Sequence, residues 1–343
     1  MPSQRVAQDA IGGPRIGKKG WILEPSHVSS LCFVPVSGHA IEVLGLRKSY
    51  GSFEAVRGID LNVSTGEVFA LLGPNGAGKT TTVEILEGYR ERNHGEVSVL
   101  GHDPARGEQA LKTKIGIVLQ ETGIDPYLTV AETIDQYRDY FPNPRPRNEV
   151  IEVVGLQQKR NARVSKLSGG QKRRLDVAIG LAGDPELLFL DEPTTGFDPG
   201  ARRNAWTMIE NLQSLGKTIF LTTHYMDEAQ HLADRVAIIV GGEIVAQGPP
   251  GDLAEGQDHT TRISFRLPDG GPDLPQRLRD GASVAGDRVE LAATDAVRTL
   301  HDLTGWALEN NVELVGLNVA HLSLEDVYLQ LTSVAEQAQG SRE

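Results

Sequence analysis

Residues 73–80 read Gly73-Pro74-Asn75-Gly76-Ala77-Gly78-Lys79-Thr80, which fits the pattern G-x-x-x-x-G-K-[ST]. Glycines at this spacing let a backbone wrap closely, so that successive N–H groups and the start of the next helix point at phosphate oxygens. A lysine in the seventh place reaches the β- and γ-phosphates, and the hydroxyl after it joins Mg²⁺. The chemistry expected of Lys79 and Thr80, with Thr81 beside them, is therefore binding of a nucleoside triphosphate with its metal. The loop lies between the apolar run VFALL and a helix with Val83, Leu86 and Tyr89 at helical spacing. By itself it does not separate transporters from GTPases, kinases or helicases.

A second anion site is written into Leu167-Ser168-Gly169-Gly170-Gln171, which opens an amphipathic helix over residues 172–182. Ser168 and the two glycine amides form another helix start able to face a phosphate. Shortly after it, the apolar run LLFL ends in Asp191-Glu192. Two adjacent carboxylates repel, and a metal beside the first explains how both stay ionised. One chain thus carries two phosphate-binding helix starts, which serve together if two chains close head to tail. The run Lys172, Arg173, Arg174 reads as a solvated face with a cap contact, not as a third phosphate site.

Across roughly residues 41–250 these motifs, in this order, resemble the nucleotide-binding subunit of an ATP-binding cassette (ABC) transporter, LSGGQ being the most specific mark. The resemblance implies that Asp191 holds Mg²⁺ through water and that Glu192 is the catalytic base orienting the attacking water. It implies that Gln120 belongs to the loop sensing Mg²⁺ or that water, and that His224, after TIFLTT, is the switch histidine at the γ-phosphate. Taken alone, Gln120 and His224 are ordinary strand-end residues; their order among the other motifs gives them these roles. Asp198, in Thr194-Thr195-Gly196-Phe197-Asp198, matches the loop that crosses to a partner protomer, although the family more often has leucine where Phe197 stands. Tyr50 falls where the family places an aromatic that stacks on adenine, a contact of about 1–3 kcal/mol.

Within the family, residues 169–175 and 184–196 are similar to the multidrug and antibiotic-resistance export branch. The tail His321-Leu322-Ser323-Leu324-Glu325-Asp326-Val327-Tyr328-Leu329 resembles the C-terminal motif of daunorubicin-resistance-type ATPases. Read structurally, the same tail is a helix packing Leu324, Val327 and Tyr328 on its own small domain. The resemblance implies ATP hydrolysis that energises a separate membrane permease, a second cassette as partner (a homodimer), and a peripheral seat on the cytoplasmic side of the membrane. The competing reading is a cassette ATPase of DNA repair or translation. Repair relatives carry a coiled-coil or zinc insertion between the phosphate motifs, and this chain has neither the cysteines nor the heptads. A pure ATP-binding regulator is opposed by the intact Glu192.

The elements that must position these residues alternate strand and helix: VFALL, IGIVLQ, LLFLD, TIFLTT and RVAIIV, with helices at 200–215 and 225–233. That pattern implies a mostly parallel sheet covered on both faces, and the family resemblance implies an α/β P-loop NTPase cassette with a mixed sheet core and a helical signature subdomain. The ordered part is expected from Ile41. Residues 124–160 read as helices broken by a loop. Composition shifts near residue 250, and the expected organisation is an extension over 1–39, a cassette over 40–250, a linker over 251–262, a small α+β domain over 263–333 and a flexible tail over 334–343.

Of 343 residues, 34 are lysine or arginine and 46 aspartate or glutamate, a net charge of −12 that argues against nucleic acid as partner. The single cysteine, Cys32, rules out an intrachain disulfide and a thiolate zinc site, and suits a reducing cytosol. Lys18 and Lys19 precede Trp21, Ile22 and Leu23, but Glu24, Pro25, Ser26 and His27 break the apolar run, so a signal peptide is not expected. No run approaches the ~20 apolar residues of a spanning helix.

Overall fold

Val68, Phe69, Ala70, Leu71 and Leu72 are all buried, so the strand they form has a neighbour on each edge and a layer on each face. The computed structural model of the protein describes residues 38–118, 123–255, 261–267, 274–279, 282–321, 324–329 and 332. The described residues open with two long antiparallel strands, β1 (His39–Tyr50) and β2 (Phe53–Ser64), joined by a two-residue turn after Tyr50. Then come β3 (Val68–Leu72), helix α1 (Lys79–Leu86), β4 (His94–Val99), the short α2 (Gln109–Lys112) and β5 (Ile115–Val118). Three helices follow: α3 (Val130–Arg138), α4 (Arg147–Val153) and α5 (Gly169–Leu181). The remainder of the cassette is β6 (Leu187–Asp191), α6 (Pro199–Ser214), β7 (Thr218–Thr223), α7 (Met226–Leu232), β8 (Arg235–Val240), β9 (Glu243–Gly248) and α8 (Pro250–Glu255).

The central sheet has the order β5-β6-β7-β3-β8-β9, parallel except for the β8–β9 edge pair. Strand alternation divides its side chains between two cores. Phe69 and Leu71, Leu187 and Phe189, Phe220, and Ala237 and Ile239 meet α1 and the three-stranded sheet β2-β1-β4. Leu72, Leu190, Leu221 and Ile238 face the other way, toward Leu175, Ala178 and Leu181 of α5 and Met208, Ile209 and Leu212 of α6. Each large aliphatic side chain buried in this way contributes about 1.5–3 kcal/mol. Helix α3 begins with a capping box in which Thr129 and Glu132 satisfy each other's backbone N–H groups.

Several expectations need correction. The first strand starts at His39, two residues before Ile41. The stretch read as a linker begins with α8. Arg173 is buried and not on a solvated face, whereas Lys172 is exposed. Strands β4 and β9 were not read from the sequence, because only one end of β4 is buried and β9 is a half-exposed edge. The proposed extension apart from Gly38 and His39, Gln120, and residues 334–343 lie outside the described residues.

After α8 the chain forms a second, antiparallel sheet, β11-β12-β10-β13, from β10 (Thr261–Arg266), β11 (Ala282–Ala285), β12 (Arg288–Ala293) and β13 (Val315–His321). Helix α9 (Gln276–Arg279) precedes β11. Helix α10 (Ala296–Glu309) covers one face, burying Leu303, Trp306 and Ala307 against Ile263, Phe265 and Leu291. The helical residues 324–329 do not pack on that sheet alone. Leu324 is fully buried within the cassette core and Tyr328 packs against the same core, while Asp326 pairs with Arg262 of β10 at 2.7 Å. The tail helix thus joins both parts, a correction to its reading as local packing.

Candidate nucleotide site

Between β3 and α1 the loop turns through Gly76 (φ +79°) and Gly78 (φ +106°), both in the left-handed region. A Cβ on Gly78 would lie 2.5 Å from the carbonyl oxygen of Ala55, so only glycine allows the loop to lie against β2. Around Gly76, by contrast, a Cβ would meet nothing within 4 Å, so its glycine serves the left-handed φ and not a close contact. Lys79 opens α1 and is buried; its Nζ donates to the carbonyl oxygens of Gly73 (2.7 Å) and Pro74 (3.1 Å). Burial pushes its pKa down, against the pull of Glu192 and Asp191. An ammonium held on loop carbonyls beside two carboxylates is placed to receive polyphosphate oxygens.

A cleft of about 230 Å³ runs along this loop, lined by Tyr50, Phe53, Gly76, Lys79, Thr80 and Glu192 among others. Tyr50 and Phe53 flank the β1–β2 turn and are exposed, and the Tyr50 hydroxyl lies 3.5 Å from that of Thr81. Lys48 and Arg90 stand 5.4 and 5.2 Å from the Tyr50 ring centroid.

Asp191 ends β6 and its Oδ1 accepts a 2.5 Å hydrogen bond from Thr222 of the neighbouring β7. Glu192 then takes φ +45°, which is costly for a residue with a Cβ. Its N–H donates to both the carbonyl and the hydroxyl oxygen of Thr222, which holds the strained turn in place. The turn lets two adjacent carboxylates diverge. Glu192 Oε2 accepts from Thr195 at 3.0 Å, and Oε1 lies 3.3 Å from His224 Nδ1. Arg173 of α5 donates to the Asp191 carbonyl at 2.7 Å and the Pro193 carbonyl at 3.3 Å, joining that helix to the carboxylate-bearing strand end.

Ser168 caps α5 in a reciprocal box with Gln171: Ser168 N–H donates to Gln171 Oε1 at 3.0 Å and Gln171 N–H to Ser168 Oγ at 3.3 Å. Asp198 caps α6 by accepting from the N–H groups of Gly200 and Ala201, both at 2.9 Å. Ser168, Gly169, Gly170, Gln171 and Asp198 line a separate concavity of about 1040 Å³. The expected residues therefore fall into two sets, one on the phosphate loop and one on the tips of α5 and α6. Glu192 lines both. Sequence reading missed Phe53, Thr195, Thr222 and the anchoring role of Arg173. An aromatic three residues after Tyr50 and a hydroxyl near the end of TIFLTT were the available signals.

This fold and site define a P-loop ATPase of the cassette type, and the chain belongs to the ABC transporter family as an ATP-binding subunit that hydrolyses ATP. The family described as ABC transporter matches residues 56–195, and residues 261–323 match the ABC transporter domain-containing protein-like C-terminal domain. The chain is 37% identical to the Nod factor export ATP-binding protein I of Paraburkholderia xenovorans (strain LB400), covering 85% of this chain and 97% of that one. It is 41% identical to the protein of the same name from Cupriavidus pinatubonensis (strain JMP 134 / LMG 1197), over 87% and 92%. Among solved structures, cbiO1 from Clostridium perfringens, part of the ABC transporter complex cbiONQ, matches with a TM-score of 0.57 at 28% identity, over 62% of this chain and 90% of that one. The dimeric post-hydrolysis cassette MJ0796 bound to ADP and Pi shares the fold, with a TM-score of 0.54 at 24% identity, over 61% and 98%.

Proposed function

We propose that the chain binds ATP with Mg²⁺ in the Tyr50–Lys79 cleft and hydrolyses it between two copies, driving export through a separate permease. The observation that carries this reading is Glu192: a carboxylate on a strained turn, held between Thr195 and His224, lining the same cleft as Lys79 and Thr80. Tyr50 and Phe53 would receive the adenine, and the N–H groups of the Gly73–Gly78 loop with Lys79 the phosphates. The donor set suits Mg²⁺: the Thr80 hydroxyl, Asp191 and Gln120 are hard oxygen ligands. Among the described residues no cluster of three or more His, Cys, Asp or Glu could form a closed metal cage, and Mg²⁺ on ATP needs few protein ligands. The ion, when bound, neutralises charge on the β- and γ-phosphates.

Glu192 then orients a water for in-line attack on the γ-phosphorus, with ADP as leaving group, and His224 contacts the γ-phosphate. Ser168, Gly169, Gly170 and Gln171 of a second copy would supply the missing donors, and Asp198 would cross between copies. Loss of one such aimed donor costs ~3–4 kcal/mol, so closure of the pair switches the chemistry on. Two separate concavities per chain support this head-to-tail reading.

No helix among the described residues is long and apolar enough to cross a membrane, and a separate permease would supply the path. A groove of about 340 Å³ lined by Tyr89, Tyr137, Phe141 and Ile179, between α1, α3 and α5, suits an inserted permease helix at the cytoplasmic face of the membrane. Relatives named for Nod factor export support export as the direction. A drug or other hydrophobic compound as cargo rests on the sequence motifs alone. The decisive test is Glu192→Gln. It binds ATP and dimerises in sedimentation with Mg-ATP, while phosphate release falls at least about 100-fold; near-parental turnover removes Glu192 from the role.

A further inference from the structure

We propose that Arg202 and Tyr225 are positioning residues for His224, relaying the position of the α6 tip to the catalytic carboxylate through a stacked cation and ring. The proposal rests on the roles given above to Glu192, His224 and Asp198. Its geometry is continuous. The Asp198 carboxylate caps the first turn of α6, and its carbonyl accepts the Arg202 N–H at 3.0 Å, so Arg202 sits one turn down the same helix. The Arg202 guanidinium carbon lies 4.0 Å from the Tyr225 ring centroid, and its Nη1 is 3.2 Å from Asp227. The Tyr225 ring centroid is 4.1 Å from that of His224, with the planes at 39°. His224 Nδ1 in turn lies 3.3 Å from Glu192.

Each contact is short enough to fix a ring and none serves a hydrophobic core. Arg202 and Tyr225 are both half-buried and belong to no core cluster. The Tyr225 backbone is pinned independently, its N–H donating to Thr223 Oγ1 at 3.0 Å. The side chain is thus left to set the orientation of its neighbour, not to hold the loop. A planar guanidinium over an aromatic face is a directional contact that lysine does not reproduce. A shift of the Asp198 turn, such as contact with a second copy would cause, moves Arg202 and with it the plane against which His224 rests.

The test uses the full chain in five variants: Tyr225→Phe, Tyr225→Leu, Arg202→Gln, Arg202→Lys and the double variant Arg202→Gln/Tyr225→Leu. Tyr225→Phe keeps the stack and retains kcat within about twofold. Tyr225→Leu, Arg202→Gln and Arg202→Lys each lower kcat about tenfold or more and leave KM for ATP within about twofold, as a misplaced catalytic group does. The double variant is no worse than the worse single one, because both break one stack. In the NMR spectrum, the His224 imidazole resonance, assigned by its loss in His224→Ala, shifts in Tyr225→Leu as the ring current disappears. Parental kcat with an unmoved His224 signal in Tyr225→Leu overturns the proposal, as do additive losses in the double variant. Should Tyr225→Leu fold poorly, Arg202→Lys decides alone, with parental kcat as the contrary result. Glu192→Gln is run beside them: if it turns over normally the site assignment itself fails, whereas inactive Glu192→Gln with unaffected stack variants removes only the relay.

Discussion

Away from the phosphate loop, Glu228 is fully buried on α7, four positions after His224. Trp206 donates to its Oε1 at 3.3 Å. Burial pushes its pKa above the ordinary 4.5, opposed by the nearby polar side chains of Thr223, Thr194 and Trp206 and by the charge of Arg202. In the range above that ordinary value, the folded chain holds a proton that the unfolded chain has lost. The resulting stabilisation is complete at acid pH and is lost as pH rises through the raised value. Glu228→Gln has no proton to lose, so its melting temperature falls less steeply with rising pH than the parent's. Equal slopes in a pH series of thermal melts would show that Glu228 ionises normally. At this scale the sequence was legible where spacing carries the chemistry, as in Gly73–Thr80 and Asp191-Glu192. Arg173 and Glu228 were not legible, because a charged residue in a helix reads as solvent-facing until the partners that bury it are known.

At the scale of the element, α5 and α3 are started by the same device, a hydroxyl reciprocating with a residue three positions on. Removing either cap costs about 1 kcal/mol of stability. Only one of them is proposed to face a nucleotide. Ser168→Arg therefore loses that stability and, in addition, more than about 100-fold in turnover, with ATP binding to the isolated chain retained. Thr129→Ala loses similar stability and no turnover. Thermal melts and phosphate release on the two variants separate the roles, and matched turnover losses would leave Ser168 as a cap alone. The alternation of apolar strands predicted the parallel sheet because those strands are buried on both faces. Edge strands such as β9 escaped notice for the opposite reason: half their side chains meet water, and the pattern dilutes.

For the whole molecule, the notable contact is that of Leu324 with the cassette core. Leu324→Ala should cost about 2–5 kcal/mol, and the loss should appear in the cassette and not only in the appended sheet. Hydrogen exchange resolved to β3 and β8 measures it: faster exchange there is the expected result, and change confined to β10–β13 would confine the helix to its own sheet. The sequence placed this helix but not its docking, since an apolar face at helical spacing does not say which neighbour it meets.

That contact also imposes an order of assembly. A ribosome delivers every strand of the central sheet by Gly248, yet the core still lacks a side chain that arrives only with residue 324. At ~5–20 residues per second the nascent cassette waits some seconds with that gap unfilled, and a prematurely released chain never fills it. The cassette core is therefore filled only after the appended sheet has been made.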